Sequence, residues 1–290
     1  MWQALTAAVV VSVTLAGLAV AVPSPAVGGG LAELLQACAA VLRTRYAAPG
    51  GAAVATAGVA LAVGVVGRVG WCLAAGLVRA RRARSRHAAV LALVGTPRAD
   101  LGVTVLEDAR PAAYCLPGLG HRIVLTSATP AALGPGALAA VIAHERAHIR
   151  GRHHLVLGYA DALARAFGRV PLFRTAADET RRLVEMAVDD TATRDTGRPA
   201  LAGALVELAG AGAPAASLSA GGDVVRRVRR LLSPHRPLHG AVVGAGALVA
   251  LAVAALPVAL AVEPALTLLH MNACPLDMCP LSEAPADRGT

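Results

Sequence analysis

Residues 141–150 read VIAHERAHIR and contain the pattern His-Glu-x-x-His at His144, Glu145 and His148. On an α-helix, residues four apart lie on one face, so the two histidines would face one metal ion together. Glu145 lies one position further round, close enough to take a proton from water without binding the metal. Two imidazoles beside an open coordination position are typical of the zincins, in which zinc activates water and the glutamate acts as base.

The residues before the motif favour a half-buried helix. Leu138, Val141 and Ile142 recur at helical spacing, and Gly-Pro-Gly at residues 134–136 is a natural helix start. The competing interpretation is an exposed helix that carries the two histidines and the glutamate by chance. A zinc-binding pair belongs on a partly buried helix, so the apolar face favours the metal site.

The composition indicates a membrane protein. Of the 290 residues 56% are hydrophobic and only 2% are aromatic, an apolar fraction too high for an ordinary soluble domain. The net charge is +9, and all 27 basic residues are arginine. These arginines cluster beside apolar runs, which fits membrane orientation better than a surface that reads nucleic acid. No nucleic-acid partner is expected.

Three uncharged or nearly uncharged runs are long enough to cross a bilayer. The first competes with a signal peptide, but no basic residues precede it. Arginine clusters at residues 79–86 and 226–230 follow the second run and precede the third, so the positive-inside rule puts the segment between them in the cytoplasm. We therefore expect a transmembrane helix at 1–22, an extracytoplasmic loop at 23–50 with a helical piece near 31–42, a transmembrane helix at 51–78, a cytoplasmic metallopeptidase domain at 79–239, a transmembrane helix at 240–262 and an extracytoplasmic tail at 263–290.

The segment from about residue 88 to 222 has the pattern of a globular α+β domain. Short β-like stretches punctuated by Gly and Pro predict strands at Val90–Val94, Gly102–Leu106, Ala113–Leu116 and Arg122–Thr126. Helices are predicted after the motif at residues 155–167, 178–195 and 200–212. The expected fold class is a mostly α membrane protein with transmembrane helices and a cytoplasmic α+β zincin domain of the gluzincin type.

A catalytic zinc normally takes a third protein ligand, and the sequence offers two sources. Glu185 and Asp189 lie four apart on one predicted helix, so Glu185 would complete the site while Asp189 hydrogen-bonds a ligand imidazole. The alternative for this pair is an exposed acidic helix. His153 and His154 are rival ligands, because Gly151 permits the chain to turn back after His148.

Five cysteines are scattered through the chain without a C-x-x-C pair, which makes a cysteine zinc site improbable on spacing. Cys274 and Cys279 lie in a Pro-rich tail. If that tail is outside the cell, a disulfide between them or to Cys38 is an open alternative.

The order of these segments resembles the membrane metallopeptidases of the BlaR/MecR type, which are relatives of the HtpX-type heat-shock proteases and the CAAX prenyl endopeptidases. The resemblance rests on AYCLPG at 113–118, RIVLT at 122–126, HERAH at 144–148 and Glu-x-x-x-Asp at 185–189, and covers roughly residues 50 to 262. It implies Zn²⁺ held by His144, His148 and Glu185, with Glu145 as general base and Asp189 behind the ligands. It also implies that Ile123, Val124 and Leu125 form the edge strand on which an extended substrate pairs.

Two departures from that type affect the expected function. Only about 28 residues follow Val262, too few for the penicillin-binding sensor domain of the antibiotic-sensing members. Sensing of antibiotics by this chain alone is therefore not expected. Members of the type also often have one more N-terminal membrane helix, so a shortened chain or an upstream start is expected.

The sequence thus predicts a membrane-embedded zinc endopeptidase that cleaves a cytoplasmic or membrane-associated protein, with a transcriptional repressor as one candidate substrate. Two alternatives remain. A quality-control protease for misfolded membrane proteins would use the same site. A non-catalytic signalling or scaffold protein would keep a structural metal, held by four protein ligands if His153 or His154 joined the site.

Overall fold

The structure is a computed structural model that describes residues 1–21, 50–118, 122–211, 221–234 and 239–272. The predicted helical piece near 31–42, together with Cys38, Cys274 and Cys279, lies outside these residues. In the described ranges the helices are α1 (Trp2–Ala21), α2 (Gly51–Val94), α3 (Ala128–Ala132), α4 (Pro135–Arg150), α5 (His153–Ala166), α6 (Pro171–Thr196), α7 (Arg198–Gly210), α8 (Gly221–Leu232) and α9 (Gly240–Asn272). The strands are β1 (Thr96–Arg98), β2 (Val103–Leu106), β3 (Ala113–Leu116) and β4 (Arg122–Thr126).

The four strands form one sheet in the order β1-β2-β4-β3. β1 pairs antiparallel with β2, β2 parallel with β4, and β4 antiparallel with β3. The prediction that Arg122–Thr126 is an edge strand is therefore wrong: β4 has a neighbour on both sides. The free edge on that side of the sheet belongs to β3. The predicted strands at Gly102–Leu106 and Ala113–Leu116 agree with β2 and β3.

The prediction of a strand at Val90–Val94 is also wrong, because these residues end α2. No Gly or Pro interrupts the chain between Val78 and Gly95, and Arg and Ala are strong helix formers. The helix therefore continues through the arginine cluster until Gly95, whose N–H donates to the Leu91 carbonyl at 3.0 Å. A short apolar run does not distinguish a strand from the last turn of a helix.

The core of the globular segment lies between the sheet and the helices α4, α7 and α8. Val124 and Leu125 on β4 are fully buried, and Leu125 packs in one cluster with Val141 on α4 and Leu205 on α7. α4 begins at Pro135, which suits the first turn of a helix because its missing N–H needs no partner there. The core therefore fixes α4 against the sheet on one side, and its remaining face is free to carry the histidines.

Within the described ranges, three helices are long and apolar enough to cross a membrane, at Trp2–Ala19, within Gly51–Val94, and at Gly240–Ala261. Their length and composition agree with a membrane protein. The sides on which the loops and the C-terminus lie remain predictions.

The chain divides into two compact units. The first comprises Met1–Thr6 and Gly67–Ala250 and contains the sheet and the motif helix; the second comprises Ala7–Val66 and Leu251–Thr290. Within the second unit, α1 and the start of α2 approach closely at Gly17, where an added Cβ would lie 2.7 Å from the Gly58 carbonyl oxygen. Small residues permit such close approach of membrane helices.

Candidate metal centre

The two motif histidines lie on one face of α4, as their spacing predicts. The Nε2 atoms of His144 and His148 are 3.3 Å apart, and the rings meet edge to face with centroids 4.9 Å apart. His144 is buried, whereas His148 is only partly so. Both imidazoles therefore present a nitrogen to the same point in space.

Glu185 on α6 brings a carboxylate to that point. Its Oε2 lies 3.5 Å from His144 Nε2 and its Oε1 lies 3.4 Å from His148 Nε2. One ligand atom from each of the three side chains falls within 4.8 Å of the others. Two imidazoles and one carboxylate are the donor set of the His₂Glu zinc enzymes, so the residues fit a catalytic zinc.

Asp189 lies one turn along α6 from Glu185 and is almost fully buried. Its Oδ1 lies 3.2 Å from Nδ1 of His144, on the opposite edge of the ring from the ligand point. A carboxylate at this position favours the tautomer that carries the proton on Nδ1, which leaves the Nε2 lone pair for a metal.

Arg227 on α8 is the residue that the sequence reasoning missed. Its guanidinium holds both carboxylate oxygens of Asp189, at 2.9 and 2.6 Å, and lies 3.0 Å from Oε2 of Glu185. Only 3% of Arg227 is exposed. The arginine cluster at 226–230 was interpreted as an orientation signal, but Val224, Arg227 and Leu231 share one buried helix face. That spacing was the available signal, because an arginine on an apolar face needs a buried acid as partner.

The charges in this cluster shift the pKa values of its members. Burial lowers the pKa of His144, but hydrogen bonding to Asp189 and Glu185 outweighs it and raises the value to about 9. Burial raises the pKa of Glu185, yet His144, His148 and Arg227 bring it well below its usual range. In the metal-free protein His144 is therefore protonated and Glu185 ionised at neutral pH.

Glu145 is 9% exposed and lies beside the edge strand β3. Burial first, and then the nearby Glu145 carboxylate, raises the pKa of the Cys115 thiol on β3 to about 12. That thiol is neutral at physiological pH and is not a thiolate ligand. The contact places β3 next to the predicted general base.

The predicted substrate strand does not have a free edge in the structure. Ile123, Val124 and Leu125 are buried, and each pairs with β3 on one side, while Val124 and Leu125 also pair with β2 on the other. Their backbone groups are already engaged in the sheet. The strand available for pairing beside Glu145 is β3 (Ala113–Leu116).

The rival ligands His153 and His154 are not brought into the ligand group among the described residues. The His153 ring packs edge-on against the His148 ring, with centroids 5.4 Å apart. An added Cβ on Gly151 would lie 2.3 Å from Nε2 of His153, so the ring is folded back over that glycine. The chain does turn after His148, but it places His153 beside the candidate ligand His148 and not at the ligand point itself.

Comparison with known proteins points in the same direction. Residues 78–191 match the family model described as Peptidase family M48. The matched segment includes His144, Glu145, His148 and Glu185, and it supports an M48-type metallopeptidase. No curated protein and no solved structure matches the chain significantly.

Proposed function

We propose that this protein is a membrane-embedded, zinc-dependent endopeptidase. The observation that carries the proposal is the convergence of His144, His148 and Glu185 on one point, with Glu145 on the next position of the same helix. The similarity of residues 78–191 to Peptidase family M48 indicates a metallopeptidase. A structural metal site would have no use for an additional glutamate at this position.

Each residue of the site has a separate role in the proposed reaction. His144, His148 and Glu185 would hold zinc, which would supply a Lewis acid to the reaction. Glu145 accepts a proton from the attacking water and returns it to the leaving amine. Asp189 holds the proton of His144 at Nδ1, and Arg227 neutralises the carboxylates of Asp189 and Glu185.

The substrate is a polypeptide that lies extended along the free edge of β3. Thr126 N–H donates to the Ala112 carbonyl at 2.9 Å, and backbone direction alternates along an antiparallel ladder. Ala113 and Cys115 therefore direct their N–H and C=O groups away from β4. Strand addition there would hold a peptide beside Glu145.

The setting is the cytoplasmic face of a cell membrane, with the arginine clusters inside and the C-terminus outside. A protease there would reach cytoplasmic or membrane-associated proteins, as an antirepressor-like regulator of the BlaR/MecR type would need to do. The bilayer and the protein substrate are its expected partners.

The test compares detergent-purified wild type with Glu145→Gln and Glu185→Ala. We expect about one zinc per wild-type chain by elemental analysis, and cleavage of unfolded casein that a chelator abolishes. Glu145→Gln should keep its zinc and lose at least about a hundredfold of the cleavage rate. Glu185→Ala should lose both.

Glu207→Gln, an exposed change on α7, is the matched control and should behave as wild type. Cleavage that persists in Glu145→Gln would refute the assignment of the base. A wild-type chain that holds zinc and cleaves neither casein nor any membrane protein offered would instead favour the scaffold alternative.

A further inference from the structure

A large cleft opens between α2, α5 and the chain that follows β3, all within the first unit. Its volume is about 1090 Å³, large enough for a peptide segment. Apolar side chains such as Leu73, Leu77 and Leu155 cover part of its wall. Its charged lining consists of Arg79, Arg81, Arg84, Arg122, Arg165, His154 and Asp161.

Among the residues that the structure describes, none of the five arginines of the cleft has an acidic partner. No ion pair within the described ranges involves any of the five, although arginines elsewhere in those ranges pair with Asp100, Asp108, Glu179 and Asp190. The one acidic side chain in the lining, Asp161, pairs with Arg181 outside the cleft. The cleft therefore carries a surplus of positive charge that nothing in its own walls neutralises.

Packing against α2 holds one of these arginines, Arg165, at the cleft. A Cβ on Gly76 would lie 2.7 Å from an Nη atom of Arg165. The guanidinium of Arg165, which lies on α5, therefore packs against α2 at a position where that helix has no side chain. On α2 itself, Arg81 and Arg84 line the cleft while Arg82 and Arg86 do not. The side of the arginine cluster that carries Arg81 and Arg84 therefore lines the cleft, whereas the side that carries Arg82 and Arg86 lies outside it.

Two elements, β3 and α5, contribute residues to the lining of the cleft and, one residue earlier, to the surroundings of the metal centre. Leu116 lines it, and the preceding residue on β3 is Cys115, whose thiol adjoins Glu145. His154 lines it as well, and the preceding His153 packs against His148. A peptide paired with β3 that continues past Leu116 therefore enters the arginine-lined cleft.

We propose that this cleft binds an acidic segment of the protein substrate, on one side of the bond to be cleaved. The proposal rests on the proposed function, since it assigns a specificity to that site. Guanidinium groups bind carboxylates through paired N–H donors, and a cleft lined by one sign of charge attracts the opposite sign. Anionic lipid head groups share this chemistry, but the continuity with β3 and Glu145 favours a peptide.

The test measures binding without turnover, using the full-length Glu145→Gln chain in neutral detergent. Two fluorescent twelve-residue peptides serve as probes, identical except that one carries four glutamates where the other carries four glutamines. We expect fluorescence anisotropy to show tighter binding of the glutamate peptide, with a preference that falls as salt rises from 0.05 to 0.5 M.

A second comparison uses matched double variants on one helix. Arg81→Gln with Arg84→Gln should weaken binding of the glutamate peptide by roughly five- to thirtyfold, as expected for two exposed charge pairs. Arg82→Gln with Arg86→Gln removes the same charge from the same cluster outside the cleft and should leave binding within about twofold. Equal zinc content and elution volume show that both variants are folded.

Three results would overturn the proposal. One is equal affinity for the two peptides, and another is an equal loss in both double variants. The third is a cleft variant (Arg81→Gln with Arg84→Gln) that binds the glutamate peptide as well as its parent but has lost the preference for phosphatidylglycerol over phosphatidylcholine micelles. This result would assign the cleft to lipid. Because the probes need not be cleaved, failure of the wild type to cleave casein would contradict the proposed function without deciding the binding result.

Discussion

At the scale of single residues, Arg227 determines how the metal-free centre is held together. It lies between the buried carboxylate of Asp189 and the partly buried carboxylate of Glu185, so its removal leaves both without their countercharge. We expect Arg227→Gln to destabilise the chelator-treated protein by about 3 kcal/mol or more. Bound zinc replaces part of the lost positive charge, so the rise in melting temperature on adding zinc should be larger in the variant than in the wild type.

The control for this prediction is Arg226→Gln, an exposed change on the same helix. It should alter the melting temperature of the metal-free protein by little, because surface charges contribute little. Equal stability of Arg227→Gln and wild type in the presence of chelator would show that the buried contacts are not stabilising. The double variant with Asp189→Asn should be less destabilised than the sum of the two single changes.

Also at the residue scale, the protonation of His144 makes zinc binding depend on pH. With a pKa raised to about 9 by Asp189 and Glu185 against the effect of burial, His144 carries a proton at pH 7 that zinc must displace. Zinc affinity should therefore rise about tenfold per pH unit from this group and level off near pH 9. Competition with a chelator at pH 6 to 9.5 measures it.

The same group affects the stability of the metal-free fold with the opposite sign. A raised pKa in the folded state means that protonated His144 stabilises the fold fully below its ordinary value near 6.5, and that this contribution is lost as pH rises through about 9. Asp189→Asn removes the largest influence that raises the pKa, so both curves should move to lower pH. A pH-independent zinc affinity would contradict the assignment.

At the scale of elements, β3 rather than β4 is the strand that a substrate would join. Cys115→Pro removes one outward N–H while the ladder to β4 keeps its bonds, since proline is tolerated on edge strands. Relative to Cys115→Ala, we expect a loss of roughly tenfold or less in kcat/KM for casein, about one hydrogen bond's worth. Zinc content should be unchanged. Identical kcat/KM values would exclude pairing through this N–H.

The sequence predicted local patterns at this scale better than it predicted their neighbours. Helical spacing predicts His144 and His148 as a ligand pair but leaves Glu185 as one of several third-ligand candidates; the structure brings Glu185 to the pair. The sequence did not predict the order of the strands in the sheet. The parallel pairing of β2 with β4 depends on the path of the chain between them and not on any residue in β4. Arg227 was missed for a related reason: Asp189, which it holds through both carboxylate oxygens, lies 38 residues away on another helix.

At the scale of the whole molecule, the positions of the arginine clusters argue for one topology. Positive charge is retained on the cytoplasmic side, so the segment from about 79 to 239 should be inside and the C-terminus outside. This prediction concerns the side of the membrane on which the cleavage occurs, and hence which proteins the site can reach. Transcriptional repressors are accessible only if the prediction holds.

Labelling of intact cells with a membrane-impermeant maleimide tests the topology. In chains whose native cysteines are replaced by alanine, a cysteine at Thr290 should react, whereas one at the exposed Ser85 beside the arginines should react only after the membrane is permeabilised. The reversed pattern would put the candidate metal centre outside the cell and exclude cytoplasmic substrates. Reaction at both sites in intact cells would put residues 85 and 290 on the same, outer side of the membrane. In either case the acidic segment proposed for the arginine-lined cleft would have to come from an extracytoplasmic or membrane-embedded protein, since that cleft and the candidate metal centre belong to the same compact unit.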